Sequence, residues 1–328
     1  MHALIEGSEL MIPTAAARMR RRVFGIALAE TRVDRRGFEV ASATPVERIE
    51  QIGAAFVHGY HAALLTGTPD YVLTLALQQV PLERRGFAFE GAAMGLALLD
   101  YLIPWRRDRF ATFLQGRGAG HVYMAHVGAG WAMARMPGSV VARLRRLDPL
   151  LRWLAIDGYG FHEGYFHWPR SVTRQAVPRR FVGYSRRAFD QGLGRSLWFV
   201  KGADPMRIAD AIARFAEPRH GDLWSGVGLA AAYAGGVERA ALQTLIERGA
   251  RYRPQLAQGA AFAAKTRQRA ANPAPHTELA CELICELPAQ AAATVTDDAL
   301  EGLSDAGAEL AYELWRRRIQ QRFERLPS

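Results

Sequence analysis

The stretch DLWSGVGLAAAYAGG (222–236) decides the fold. It reads as a buried helix: apolar throughout, small residues at Gly226 and Ala230, one turn apart, and a Gly235-Gly236 stop. Working outward, the same small-residue signature recurs in FVHGYHAALL, FAFEGAAMGLAL, AHVGAGWAMA, GFHEGYFHW, FDQGLGRSLWF and LAQGAAFAAKTR. Anchored on Gly59, Gly91, Gly128, Gly164, Gly192, Gly226 and Gly259, the gaps are 32, 37, 36, 28, 34 and 33 residues. A near-constant period in this range marks a repeat architecture.

Apolar residues at −3, 0, +1, +4 and +5 from each anchor trace one helix face. Glycine costs roughly 1 kcal/mol in a helix interior. Its repeated use implies that neighbouring helices approach closely. Amphipathic segments such as Tyr71–Gln79, Arg106–Leu114, Val140–Ile156, Pro205–Ala216 and Ala240–Arg248 lie between the anchors. The expected fold is therefore all-α, an α-solenoid-like array of about seven helical hairpins of roughly 33 residues. Residues 1–48 are expected to be an N-terminal cap or extension, with Val23–Glu30 and Phe38–Ala43 as a hairpin or short strands. Residues 49–325 form one repeat domain. It has an irregular excursion near 168–186, where Trp168-Pro169 and QAVPRR interrupt the period, and Ala306–Phe323 as a closing helix.

The chain has 328 residues and a net charge of +10. Arginines far outnumber lysines but are dispersed, and no nucleic-acid-binding motif accompanies them, so an arginine-rich surface is expected rather than a nucleic-acid partner. No apolar run reaches the roughly 20 residues needed to span a bilayer. No secretory signal is read at the N-terminus, and Cys281 and Cys285 lack disulfide-framework or zinc spacing, which fits a reducing cytoplasm. The Gly192/Gly194 and Gly226/Gly228 pairs follow no strand and read as packing positions, not phosphate loops.

Equivalent positions of stacked repeats share a surface. Two residues before the anchor stand His126, His162 and Asp190, predicting a ladder with Glu163 and Gln191 beside it. His58 and Glu90 are expected to form a second pair. Two histidines and a carboxylate suit acid–base chemistry or a metal, and equally a hydrogen-bonded structural ladder. No HExxH or CxxC motif supports a metal, and no cofactor is assigned. DGYGFHEGYFHW (157–168) is the densest candidate: Glu163 and His167 are four apart, and Tyr159 and Tyr165 are expected as hydrogen-bond donors toward a substrate or, equally, as aromatic core. Arg195 is the anion contact, with pairing to Asp190 or Asp222 as the structural alternative. Trp131 and Trp224, with Phe89, Phe166 and Phe262, suit an apolar ligand or plain packing.

The blocks LDPLLRWLAIDGYGFHEGYF (147–166), RRAFDQGLGRSLWFVKGAD (186–204), DLWSGVGLAAAYAGG (222–236), LAQGAAFAAKTR (256–267) and PHTELA (275–280) resemble the UnbL-type family of enediyne biosynthesis proteins. The resemblance spans roughly residues 20–325. It implies work beside an iterative polyketide synthase, on the conversion of a linear polyene. The expectation is a biosynthetic protein that holds a long hydrophobic intermediate on the array's inner surface. His126, His162, Glu163 and Asp190 would be its acid–base or orienting groups, with the polyketide synthase or other pathway proteins as partners. A non-catalytic scaffold for a synthase or carrier protein, and a metal- or haem-binding accessory protein, are the alternatives. Enzymatic activity and homo-oligomerisation stay open.

Overall fold

A computed structural model describes residues 13–40, 43–103, 105, 108–303 and 308–324. The helices are α1 (Ala15–Phe24), α2 (Val33–Arg36), α3 (Ala43–Thr66), α4 (Tyr71–Gln78), α5 (Arg85–Leu102), α6 (Arg109–Gln115), α7 (Val122–Arg135), α8 (Val140–Leu144), α9 (Arg152–Phe166), α10 (Tyr184–Val200), α11 (Pro205–Ala213), α12 (His220–Ala234), α13 (Arg239–Arg248), α14 (Arg253–Arg269), α15 (Pro275–Ile284), α16 (Ala289–Asp298) and α17 (Ala308–Phe323). There is no strand among the described residues, so the fold is the all-α helical array expected. None of the described helices is long and apolar enough to cross a membrane.

Seven long helices, α3, α5, α7, α9, α10, α12 and α14, pack side by side in chain order. Short helices return the chain between them; in the α9–α10 connection a π-helical turn, Pro169–Thr173, takes that place. The sequence pattern predicts one helix over Val140–Ile156, but the chain breaks there. Asp148 Oδ1 accepts from the Leu150 and Leu151 amides, a local alternative to continuing the helix. Side-chain caps open some of the short helices: Asp70 caps α4, and Asp204 followed by Pro205 opens α11.

The glycines explain the close packing. A Cβ at Gly158 would overlap the Val127 carbonyl of the preceding helix, and one at Gly160 the Phe189 carbonyl of the next. Gly192 and Gly194 face Asp157 and Leu223 in the same way, and Gly226 and Gly228 face Gln191 and Leu256. Two residues turn a helix by about 200°. A Gly-x-Gly pair thus removes side chains from opposite flanks, one toward each neighbour.

The array closes on itself. Arg48 of α3 donates to the Ala234 carbonyl at the end of α12 (2.8 Å), and Arg267 of α14 to the Tyr233 carbonyl (2.7 Å) and the Glu83 carbonyl before α5 (3.1 Å). Phe87 of α5 meets the Tyr233 ring edge-on at 5.1 Å. These links join the first two row helices to the last two.

Among the described residues the N-terminal segment crosses one end of the row as helices and irregular chain without a strand; residues 41–42 of the expected Phe38–Ala43 element lie outside the described residues. Arg20 donates to the Leu64 and Leu65 carbonyls near the end of α3, and Arg36 to the Tyr165 and Phe166 carbonyls at the end of α9. A helix leaves its last carbonyls unpaired and carries partial negative charge there, so arginines are favourable caps. Five further arginines, Arg109, Arg195, Arg219, Arg267 and Arg316, are buried.

Candidate functional site

The backbone contacts fix the register of the repeats. The glycines that face the preceding helix are Gly91, Gly128, Gly158, Gly192, Gly226 and Gly259. Gly164, the anchor taken from GFHEGYFHW, instead lies against Ser196, and Gly59 faces the following helix. In the corrected register the residues just before the anchors are Glu90, Val127, Asp157, Gln191, Ser225 and Gln258. The polar ones are buried. Gln191 Nε2 donates to Asp157 Oδ2 (3.0 Å), and Ser225 Oγ to Gln258 Oε1 (2.8 Å). From α17, Arg316 reaches Gln258 Oε1 (3.3 Å) and Asp222 (2.8 Å). A buried polar ladder exists; it keeps Gln191 of the predicted set and otherwise runs through Asp157, Ser225 and Gln258.

Two apolar cavities flank this ladder. The first, about 50 Å³, is bounded by side chains of α3, α5, α7, α9, α10 and α12. Phe56, Trp131, Phe161 and Phe199 supply aromatic walls, and Ile26, Glu30 and Thr31 of the N-terminal segment supply one side. The second, about 30 Å³, lies toward α14 and α17 against Phe262 and Trp315. Arg195, Leu229 and Tyr233 border both.

Glu90 lines the larger cavity and is buried. Burial pushes its pKa up to about 8, with Asp157 adding to the rise and Arg195 opposing it. It is therefore mostly a neutral acid at pH 7. The Trp131 indole N–H leans toward this carboxyl, yet it completes no hydrogen bond. A buried donor left unsatisfied beside a buried acid is a group that a bound molecule would satisfy.

Arg195 stands 2.9 Å from Asp157 Oδ1, an ion pair whose angles do not make a good hydrogen bond. Its guanidinium also lies 4.9 Å from the Phe161 ring centroid. Burial raises the Asp157 pKa, while Arg195 and Gln191 pull it down. Chemically, this arrangement can present a proton on Glu90 to a ligand and stabilise the resulting carboxylate with the Arg195 field.

The other predicted residues scatter. His126 is buried, with Nδ1 on the Val122 carbonyl (2.8 Å) and its ring edge-on to Phe110. Asp190 is held by two nitrogens of Arg219. His162 contacts Glu163 and Trp131. The predicted His126–His162–Asp190 ladder is thus not formed, because His162 entered it through the Gly164 misregister. The His58–Glu90 pair also fails: His58 is exposed and bonds the Ala76 carbonyl, while Glu90 is internal. Arg195 pairs with Asp157, not with Asp190 or Asp222.

Glu163 and His167 do meet, at 3.5 Å. Tyr165 and Trp131 line the larger cavity, and Tyr159 packs edge-on against Phe181. Trp224 is buried, borders neither cavity and lies beneath Gly249. Asp157 was missed as a site residue. Its signal was the Gly158/Gly160 pair, spaced like Gly128/Gly130, Gly192/Gly194 and Gly226/Gly228.

Fold and site together define a closed, all-helical repeat protein with a buried acid beside an apolar cavity. The chain belongs to the DUF1702 family, described as a protein of unknown function, whose sequence model matches residues 15–323. No curated protein and no solved structure matches the sequence.

Proposed function

We propose that this protein binds a hydrophobic, unsaturated small molecule within the closed array and presents Glu90 to it as a neutral acid. One observation carries the reading: Glu90 is a buried carboxyl on the wall of an aromatic cavity, beside the buried Trp131 indole N–H. The resemblance to the UnbL-type enediyne family supports a polyene from a polyketide pathway as ligand and a cytoplasmic setting. An apolar cavity that holds benzene measures about 150 Å³. The cavity here is smaller, so an extended ligand enters by displacing a wall. The Ile26–Thr31 wall is the natural one to move, because it belongs to the N-terminal segment and not to the interlocked row.

The test is a titration with parinaric acid, a conjugated tetraene fatty acid that fluoresces in apolar sites. Saturable binding to the wild type is expected. Ala230→Phe, which fills the cavity, should abolish it in a variant whose circular dichroism is unchanged. Equal binding by the filled variant, or none by the wild type, overturns the reading.

A further inference from the structure

At the C-terminal end of α9, the order His162-Glu163-x-x-x-His167 folds into a compact group. Glu163 Oε1 lies 3.3 Å from His162 Nδ1 and 3.5 Å from His167 Nδ1. One donor atom from each of the three residues lies within 4.8 Å of the other two. Zinc takes imidazole nitrogen and carboxylate oxygen at about 2.0–2.2 Å with tetrahedral angles, which spaces neighbouring donors by about 3.3–3.5 Å. Two of the three edges therefore already have the length a bound ion requires. The third edge joins the two histidines within 4.8 Å, and His167, whose side chain is 51% exposed, has room to adjust.

The fold builds this group deliberately. A continuous helix would carry residue 167 away from residue 162, since five residues turn it by about 500°. The helix stops at Phe166, and His167 leaves helical geometry with ψ near 34°. Its carbonyl then accepts the Arg170 and Ser171 amides of the π-helical turn, which fixes the residue in place. His162 is clamped on the inner side by the Trp131 ring (5.5 Å, edge-on) and the Phe166 ring (5.0 Å). Trp168 next in the chain is tied to the Arg36 carbonyl (3.0 Å). Two donors are thus held rigidly in the protein and the third faces solvent.

The geometry points to a divalent transition-metal site of the zinc type on His162, Glu163 and His167, with the outer coordination position left to water. Two histidines and one carboxylate suit zinc, iron(II) or cobalt(II), and not calcium or magnesium, which prefer all-oxygen sets. Arg170 and Arg135 supply positive field nearby, which weakens the site without occupying it. The ion would clip the end of α9 to the irregular connection after it. This inference does not rest on the cavity reading: none of His162, Glu163 and His167 lines the cavity.

The experiment uses the full chain, stripped with a chelator and titrated with Co²⁺, followed by Zn²⁺ competition. Expected are visible ligand-field bands of four- or five-coordinate cobalt, about one equivalent bound, displacement by zinc, and a melting temperature raised by zinc. His167→Ala changes an exposed side chain, so it should fold, and should lose affinity by more than about tenfold. Glu163→Gln should do the same, while His58→Ala, at a distant exposed histidine, should bind as wild type. Absence of cobalt bands and of retained zinc in the wild type, or unchanged binding in His167→Ala, would identify the group as a hydrogen-bonded triad only and overturn the assignment.

Discussion

The Arg195 guanidinium stands 2.9 Å from the Asp157 carboxylate, at the partition between the two internal cavities. Both groups are buried, so each charge depends on the other. Removing one partner of a buried pair leaves an uncompensated charge and costs about 3–5 kcal/mol. Arg195→Ala should therefore lower stability by that amount in urea denaturation. The double variant Arg195→Met/Asp157→Asn should recover most of the loss, because no lone charge remains.

Glycine substitutions separate packing from helix propensity. At Gly192 a Cβ would run into the Asp157 backbone, which has no rotamer with which to yield. Gly192→Ala should destabilise by at least about 2 kcal/mol, the cost of overpacking. Gly221, also in a helix, has only the Gln255 side chain nearby at 3.6 Å. Gly221→Ala should be neutral or stabilise by about 0.5–1 kcal/mol through propensity. Differential scanning calorimetry of the pair reads both signs.

Glu90 sets a pH dependence. Its carboxyl moves from an ordinary 4.5 in the unfolded chain up to about 8 in the folded protein. Between those values the unfolded chain holds fewer protons, so stability falls as pH rises through the window. The full cost of burying the charge, up to about 5 kcal/mol, is present only above pH 8. Glu90→Gln removes it. Urea midpoints of wild type and variant should agree near pH 4.5 and diverge by pH 9 in the variant's favour.

Arg36 ties the N-terminal segment to the end of α9 through the Tyr165 and Phe166 carbonyls. Arg36→Ala should loosen that segment, raising amide exchange across residues 26–40. If its Ile26–Thr31 portion is the wall that yields, parinaric acid should also associate faster in stopped-flow fluorescence. Faster exchange with unchanged association would place the entry route elsewhere.

The array was legible in sequence because close helix packing demands glycine at helical spacing, and glycine is conspicuous. The site was only partly legible. α9 carries Gly158, Gly160 and Gly164, and period alone does not say which faces the preceding helix. Backbone contact chooses Gly158, which brings Asp157 into the ladder and takes His162 out. Glu90 and Arg195 were legible as candidates because their columns hold in either register. Their shared cavity was not, since it depends on closure through Arg48, Arg267 and Tyr233, groups from distant parts of the chain.

The central claim, a hydrophobic ligand inside the closed array, is tested most directly by where a ligand atom comes to rest. Crystals grown with an alkanoic acid brominated at its terminal carbon would give an anomalous peak at that atom. The account predicts the peak between Phe56, Trp131, Phe161 and Phe199, with loss of the peak in Ala230→Phe. Bromine found only on the outer surface, with the cavity unchanged, would contradict it.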